Sequence, residues 1–289
     1  MKLLISCLVV AGLSLLPGEV RAQQYLATAD APKPQAIPFQ LEGGFLIQVE
    51  GGIGPLEGLK LILDTGTTYS VIDRRIANRF SAKRRPGRVF NYDGFASVEW
   101  AEFPDVHFGP INVHNVSMMV TQLAQYSELI GSADAVIGLD LLSMAGKLGV
   151  FYDSRTVVLT PRDGNTHGSS QGERPEHIAV QAMVEGHPIR LLLDTGLDGI
   201  VLYEDRIRKW APNLRFTHQR KDAHMGRLQG KTVRLPNFRL GRSDFDAEVF
   251  LMNGPKDDLL AGVDGYLGTG VLKAKRIEVD LEGKTVRWQ

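Results

Sequence analysis

Residues 61–73, LILDTGTTYSVID, and residues 191–203, LLLDTGLDGIVLY, carry one signal twice: an apolar run, the triplet Asp-Thr-Gly, and a second apolar run. Each copy is followed by an apolar-apolar-Gly element, Val136-Ile137-Gly138 with Leu141 and Leu142 behind it, and Tyr266-Leu267-Gly268 with Leu272 behind it. The register is kept, because Asp64 to Asp194 and Gly138 to Gly268 are both steps of 130 residues. A single strand ending in Asp-x-Gly is an ordinary turn signal. Two copies with matched flanks, at a period far beyond those of solenoids and propellers, imply an internal duplication and two similar lobes.

The pairing has chemical consequences. Two carboxylates at the tips of buried strands, brought together across a pseudo-twofold axis, lie too close for both to ionise, so they share one proton. The ionised member can then activate a water and the protonated member can donate to a carbonyl oxygen, which amounts to peptide hydrolysis without metal or covalent intermediate. Thr at the second position can hydrogen-bond across the axis. Gly at the third lets backbone approach a carboxylate where a Cβ would clash.

On Asp64-Thr65-Gly66, Asp194-Thr195-Gly196 and the elements at 136–138 and 266–268, the sequence resembles the aspartic peptidases of the pepsin and retropepsin type. The resemblance covers residues 38–289, and each lobe is closer in length to a retropepsin unit than to a pepsin lobe. It implies an all-β, two-lobed acid-protease β-barrel fold with pseudo-twofold symmetry, two retropepsin-type lobes fused in one chain. It further implies that Asp64 and Asp194 are the catalytic pair and that Thr65, Gly66, Thr67, Thr195 and Gly196 support their loops. In that family the apolar-apolar-Gly element threads behind the loop of its own lobe. Asp198 matches the retropepsin acidic residue that holds substrate backbone. The Arg that usually partners it has no counterpart, since Leu139 and Thr269 occupy those places. Position 67 is Thr, as in pepsins, and its hydroxyl can bond the outer oxygen of Asp64, whereas its counterpart Leu197 offers only apolar contact. On that difference Asp64 is expected to be mainly the ionised member and Asp194 mainly the proton carrier.

Outward from the motifs, each lobe opens with alternating strands, Phe45, Ile47 and Val49 in the first and Ile178, Val180, Ala182 and Val184 in the second, followed by the strand that delivers Asp to its tip. A short helix is expected within 73–80. A hairpin over Val89–Val98, turning near Tyr92 and Gly94, falls where retropepsins place the flap over bound substrate, and a second is expected beside Gly226. Both lobes close alike, with hairpins at 147–160 and 275–288.

The amino terminus reads differently. Lys2, the apolar run Leu3–Leu16 and Val20-Arg21-Ala22 form a secretory signal peptide over residues 1–22, too short an apolar run to span a bilayer. Residues 23–37 read as a Pro- and Ala-rich linker, 38–162 as the first lobe, 163–175 as a polar interlobe linker and 176–289 as the second lobe. The protein is therefore expected to be secreted or periplasmic, with no stable membrane insertion after signal cleavage. The lone Cys7 lies in the signal, so the mature chain has no disulfide.

Composition narrows the function. Lys plus Arg and Asp plus Glu are 33 each, so no global charge points to nucleic acid. The local run Arg74, Arg75, Arg79, Lys83, Arg84, Arg85, Arg88 lacks interleaved aromatics and reads as a solvated face. The seven histidines show no metal-ligand spacing, and no cofactor is expected. Residues 226–232, GRLQGKT, fail as a phosphate loop because Met225 stands where the first glycine is required. Two readings follow. One is an exported aspartic endopeptidase acting as a monomer on peptide or protein substrates; the other is a non-catalytic or weakly active peptide-binding protein on the same fold.

Overall fold

The computed structural model describes residues 34–91, 94–126, 130–162, 176–214, 217–225, 228–254 and 260–289. The protein is all-β, and its strands fall into two closed barrels joined by a shared sheet.

The first barrel runs β2 (Leu46–Ile53), β3 (Leu56–Leu63), β8 (Ala135–Ile137), β4 (Val71–Asp73), β7 (Ile111–Thr121) and β6 (Gly94–Phe108), and β6 pairs back onto β2 through Gly52↔His107 and Ile53↔Val106. Closure depends on Gly51 and Gly52, where an added Cβ would collide with the backbone and ring of His107 and with Leu61. The second barrel repeats the order with β11 (Ala179–Val184), β12 (His187–Asp194), β17 (Gly265–Gly268), β13 (Ile200–Tyr203), β16 (Ser243–Met252) and β15 (Leu228–Leu240), closed by Ala182↔Leu240. Alternation drives both. In β11, Val180, Ala182 and Val184 turn inward while Gln181 is exposed.

The threading that the apolar-apolar-Gly elements imply is present in both lobes. β8 lies parallel to β3 and antiparallel to β4, with Ile137 beside Leu63 and Val136 opposite Val71. β17 lies parallel to β12 and antiparallel to β13 in the same way. Only glycine fits where the thread passes the loop: a Cβ on Gly138 would stand 2.8 Å from the Tyr69 carbonyl carbon, and one on Gly268 would enter the Leu197 and Gly199 carbonyl oxygens.

The closing hairpins are not separate ends. β9 (Ala145–Phe151) and β10 (Thr156–Pro161) of the first lobe join β18 (Arg276–Asp280) and β19 (Thr285–Trp288) of the second in one sheet, ordered β19-β18-β9-β10-β1. The junction is β9–β18, antiparallel from Arg276↔Phe151 to Asp280↔Lys147. β1 spans Gln35–Glu42, so residues 35–37, assigned above to the linker, belong to the fold: Gln35 pairs with Leu159 and Ile37 with Val157. Ile37 and Phe39 are buried while Ala36, Pro38 and Gln40 are exposed, and that alternation outweighs the Pro and Ala content. Pro38 sits where β1 has only β10 beside it, before the pairing passes to β2 at Phe39, so its missing N–H is tolerated.

The apolar interior is continuous between lobes, one cluster containing Leu63, Ile137 and Leu148 together with Leu193, Leu267 and Ile277. Two smaller clusters lie on the opposite strand faces. One is built on Ile62, Val71, Met119 and Val136, the other on Leu192, Val201, Phe250 and Tyr266 with Leu197 from the second Asp-Thr-Gly loop.

The expected hairpins form. β5 (Arg84–Asn91) pairs with β6 from Arg84↔Ala101 to Asn91↔Gly94, and β14 (Thr217–Met225) pairs with β15 up to Met225↔Leu228. Gly94 is the first residue of β6, whereas Tyr92 and Gly226 lie outside the described residues. The short helix is Arg74–Ala77, capped by the Asp73 carboxylate accepting from the Arg75 N–H.

Candidate active site

Strands β3 and β12 end at the two Asp-Thr-Gly triplets, and the triplets meet at the junction of the lobes. The Thr65 hydroxyl donates to the Leu193 carbonyl at 2.9 Å, and the Thr195 hydroxyl donates to the Leu63 carbonyl at 2.8 Å. Each hydroxyl also accepts the other threonine's backbone N–H, from Thr195 at 3.1 Å and from Thr65 at 3.0 Å. Four hydrogen bonds thus form a reciprocal grip in which every buried donor and acceptor is used. Leu would fill the space without bonding and Ser would lose the packing methyl, so Thr is the residue the geometry needs.

The grip sets the aspartates face to face. Asp64 and Asp194 are each 1% exposed, and their carboxyl groups hydrogen-bond to one another. The Gly66 N–H donates to Asp64 Oδ1 at 2.8 Å, and the Gly196 N–H donates to Asp194 Oδ1 at 2.7 Å. Each glycine backs the opposite carboxylate. A Cβ on Gly196 would lie 2.7 Å from Asp64 Oδ2, and one on Gly66 would enter the Asp194 carboxylate. Burial pushes the Asp64 carboxyl up to about 6, against the pull of the Gly66 N–H, of Asp194 and of the Thr67 N–H. A pair held this way binds one proton between its members, with an acceptor oxygen and a donor hydroxyl side by side.

Around the pair the two lobes differ. Thr67 reaches Asp64 with its backbone N–H, where the sequence points to its hydroxyl; the hydroxyl lies 3.5 Å from the Tyr69 carbonyl oxygen. Leu197 is fully buried in the apolar cluster with Phe250 and Tyr266. Leu139, in the place of the retropepsin Arg, is buried, and its N–H donates to the Thr67 carbonyl at 2.9 Å. Asp198 is half-buried and lies against Gly270, in space that any side chain at 270 would occupy.

Two supports were not singled out from sequence. In the first lobe Asp140 accepts from the Ser70 hydroxyl at 2.6 Å, from the Ser70 N–H at 3.0 Å and from the Leu141 N–H at 2.9 Å. Ser70 Oγ in turn accepts the Gly138 N–H at 3.0 Å, which ties the thread to the loop. Burial pushes Asp140 up to about 6, opposed by the Ser70 and Leu141 donors. The second support is His177, whose Nε2 lies 3.5 Å from the Thr68 hydroxyl and whose ring hydrogen-bonds the Gly66 backbone. Asp140 has a faint sequence signal, an acid set in the run Val136–Leu142. A lone histidine ahead of a strand has none.

A family model described as aspartyl protease matches the chain twice, at residues 48–141 and 180–271. The chain belongs to the aspartyl protease family. The two matches fall on the two barrels, each with its Asp-Thr-Gly triplet and its threaded glycine, so a family unit occurs here twice within one chain. No curated protein matches the chain. Among the described residues no cluster of His, Cys, Asp and Glu is arranged to hold a metal ion, and no helix is long and apolar enough to cross a membrane.

Proposed function

We propose that this protein is an exported aspartic endopeptidase in which Asp64 and Asp194 together activate the attacking water. The observation that carries the reading is the reciprocal Thr65/Thr195 grip, which holds two buried carboxyl groups in hydrogen-bond contact. A module that only bound peptides would gain nothing from two enclosed acids that must share a proton, and burying them is costly. The ionised carboxylate takes a proton from water as the oxygen attacks the scissile carbonyl. The protonated carboxyl gives its proton to the carbonyl oxygen, and the resulting gem-diol collapses as the leaving nitrogen is protonated.

The substrate is an extended peptide lying between the pair and the β5–β6 and β14–β15 hairpins, which act as flaps, with Tyr92, Gly94 and Gly226 the flap residues that the sequence points to. Asp198 serves as an acceptor for a substrate backbone N–H. Both triplets belong to one chain, so the active species is a monomer needing no cofactor. The segment over residues 1–22 directs export and is then removed, which gives a secreted or periplasmic enzyme. Incubating the mature protein with an unstructured polypeptide between pH 3 and pH 8 tests the reading. Internal cleavage with a bell-shaped pH profile is expected. Binding of the polypeptide without cleavage at any pH would establish the alternative, a peptide-binding protein on the same fold.

A further inference from the structure

The two loops are matched at their centre and unmatched one layer behind it. Gln48 lies opposite Ile62 in the first lobe and Ala179 opposite Leu192 in the second; two residues back along the chain come Leu46, on its strand, and His177, just ahead of its strand. Leu46 is fully buried in an apolar cluster. His177 instead crosses to the other lobe, with Nε2 3.5 Å from the Thr68 hydroxyl and a ring hydrogen bond to the Gly66 backbone. The Gly66 N–H is already committed to Asp64. The ring therefore serves the Gly66 carbonyl, as an imidazole N–H donor.

That carbonyl is one end of a planar peptide unit whose other end is the Thr67 N–H, and the Thr67 N–H is a donor to Asp64. A hydrogen bond accepted by the carbonyl fixes the plane and polarises the unit, so the N–H at the far end becomes a better donor. Resting on the dyad reading above, we propose that His177 is a positioning residue for Asp64: it holds the Gly66–Thr67 peptide by its carbonyl and so aims the Thr67 N–H at the Asp64 carboxylate, favouring its ionised form against the burial that raises it. Leu46, at the corresponding place, has no N–H to offer the second loop.

Among the described residues the charged groups beside this relay are Asp140, whose N–H donates to the Thr68 carbonyl at 3.0 Å, the aspartate pair and Lys284. Asp64 faces Asp194 from the other lobe. His177 faces Lys284 of the β18–β19 turn, whose ammonium donates to the Glu176 carbonyl at 3.1 Å and which itself lies in the field of Glu176 and Arg162. Burial first, with the charge of Lys284 in the same sense, lowers the His177 ring to about 4 against the pull of the Gly66 bond. The ring is thus a neutral donor across the range in which the pair shares its proton.

The test is His177→Leu beside His177→Gln, both read as pH profiles of kcat/KM. Leucine cannot donate, so the acid limb is expected to move to higher pH by about half a unit, roughly a threefold loss on that limb, with the neutral plateau less affected. Glutamine keeps an N–H donor and should return the limb toward its original place. A residue with only a packing role would lower activity equally at every pH and would not be rescued by glutamine; either result, or an unmoved limb in a folded leucine variant, overturns the proposal. If the leucine variant does not fold, or if the unaltered protein cleaves nothing, imidazole 15N spectra of the unaltered protein decide. One protonated ring nitrogen with a slowly exchanging proton is expected at pH 6. A doubly protonated or freely exchanging ring would refute the relay without touching the peptidase reading.

Discussion

The two Asp-Thr-Gly loops agree closely where they touch each other and differ in the side chains that back them one layer out. Across the junction the paired distances are 2.9 and 2.8 Å for the threonine hydroxyls, and 2.8 and 2.7 Å for the glycine donors. One layer out, the first loop is held by polar bonds, Asp140 to Ser70 from its own lobe and His177 to Gly66 and Thr68 from the other. The second lobe has Ile200 and Gly270 where the first has Ser70 and Asp140, and it surrounds Leu197 with Phe250 and Tyr266. The first lobe's places for those aromatics hold Met119 and Val136. Duplicated halves are thus constrained by the contact they share, while each is free to find its own means of holding its half still.

The largest effect should come from breaking the shared centre. Asp64→Asn and Asp194→Asn keep shape but cannot share the proton, so each should reduce peptide hydrolysis by roughly a thousandfold or more, with near-native circular dichroism. Appreciable activity in either variant would show that the pair does not act as a unit.

The grip itself comes next. Thr65→Val and Thr195→Val each leave a buried carbonyl and a buried N–H unpaired, which should cost about 2–4 kcal/mol in urea unfolding. Because the bonds are reciprocal, the two costs should agree within about 0.5 kcal/mol. A clear inequality would mean that one lobe carries more of the junction than the geometry suggests.

A smaller effect separates the polar lobe from the apolar one. The folded Asp140 carboxyl titrates near 6 against an ordinary 3.8, so the folded protein holds this proton more tightly than the unfolded chain does. Its contribution is therefore most favourable below about pH 4 and is lost as pH rises through 6. His177, shifted down to about 4 from 6.5, acts in the opposite sense, adding stability as pH rises over that window. Asp140→Asn removes the first of these trends. Relative to the unaltered protein it should gain about 1–2 kcal/mol on going from pH 4 to pH 7.5, measured by urea unfolding at both values. An unchanged difference between the two pH values would show that Asp140 is not protonated in the fold.

The smallest expected change is at Leu197. Leu197→Thr would lose apolar burial worth about 1–3 kcal/mol, yet it adds only a hydroxyl to a loop that already gives Asp194 the Gly196 N–H. Both limbs of the pH profile should move toward lower pH by less than about half a unit. Limbs that move upward would show that apolar enclosure at 197 does not bear on where the proton sits.

Much of this architecture was legible in the chain. The duplicated Asp-Thr-Gly, the threaded glycines and the alternating strands are local patterns repeated at a fixed interval, and local patterns survive in sequence. The joined sheet was not legible, because the β9–β18 pairing unites two hairpins that each satisfy the same hairpin signal alone. His177 was missed for a related reason. Its partners lie 109 residues away in Thr68 and two residues farther back in Gly66, and no spacing rule links a histidine to a carbonyl in another lobe. The flap turns at Tyr92 and Gly226 stay at the level of sequence, since both lie outside the described residues.

The joined sheet also sets a timetable. The residues that complete the ladder against β9 are 276–280, far along the chain from β9 itself. A chain that emerges amino terminus first exposes the open edge of β9 until residues 276–280 have been made, and it has only one of its two acids until residue 194 is out. Half-made molecules therefore lack the paired acids. Under the proposed peptidase reading, in which an unfolded chain is a substrate, late assembly keeps the two acids apart until both lobes have been made.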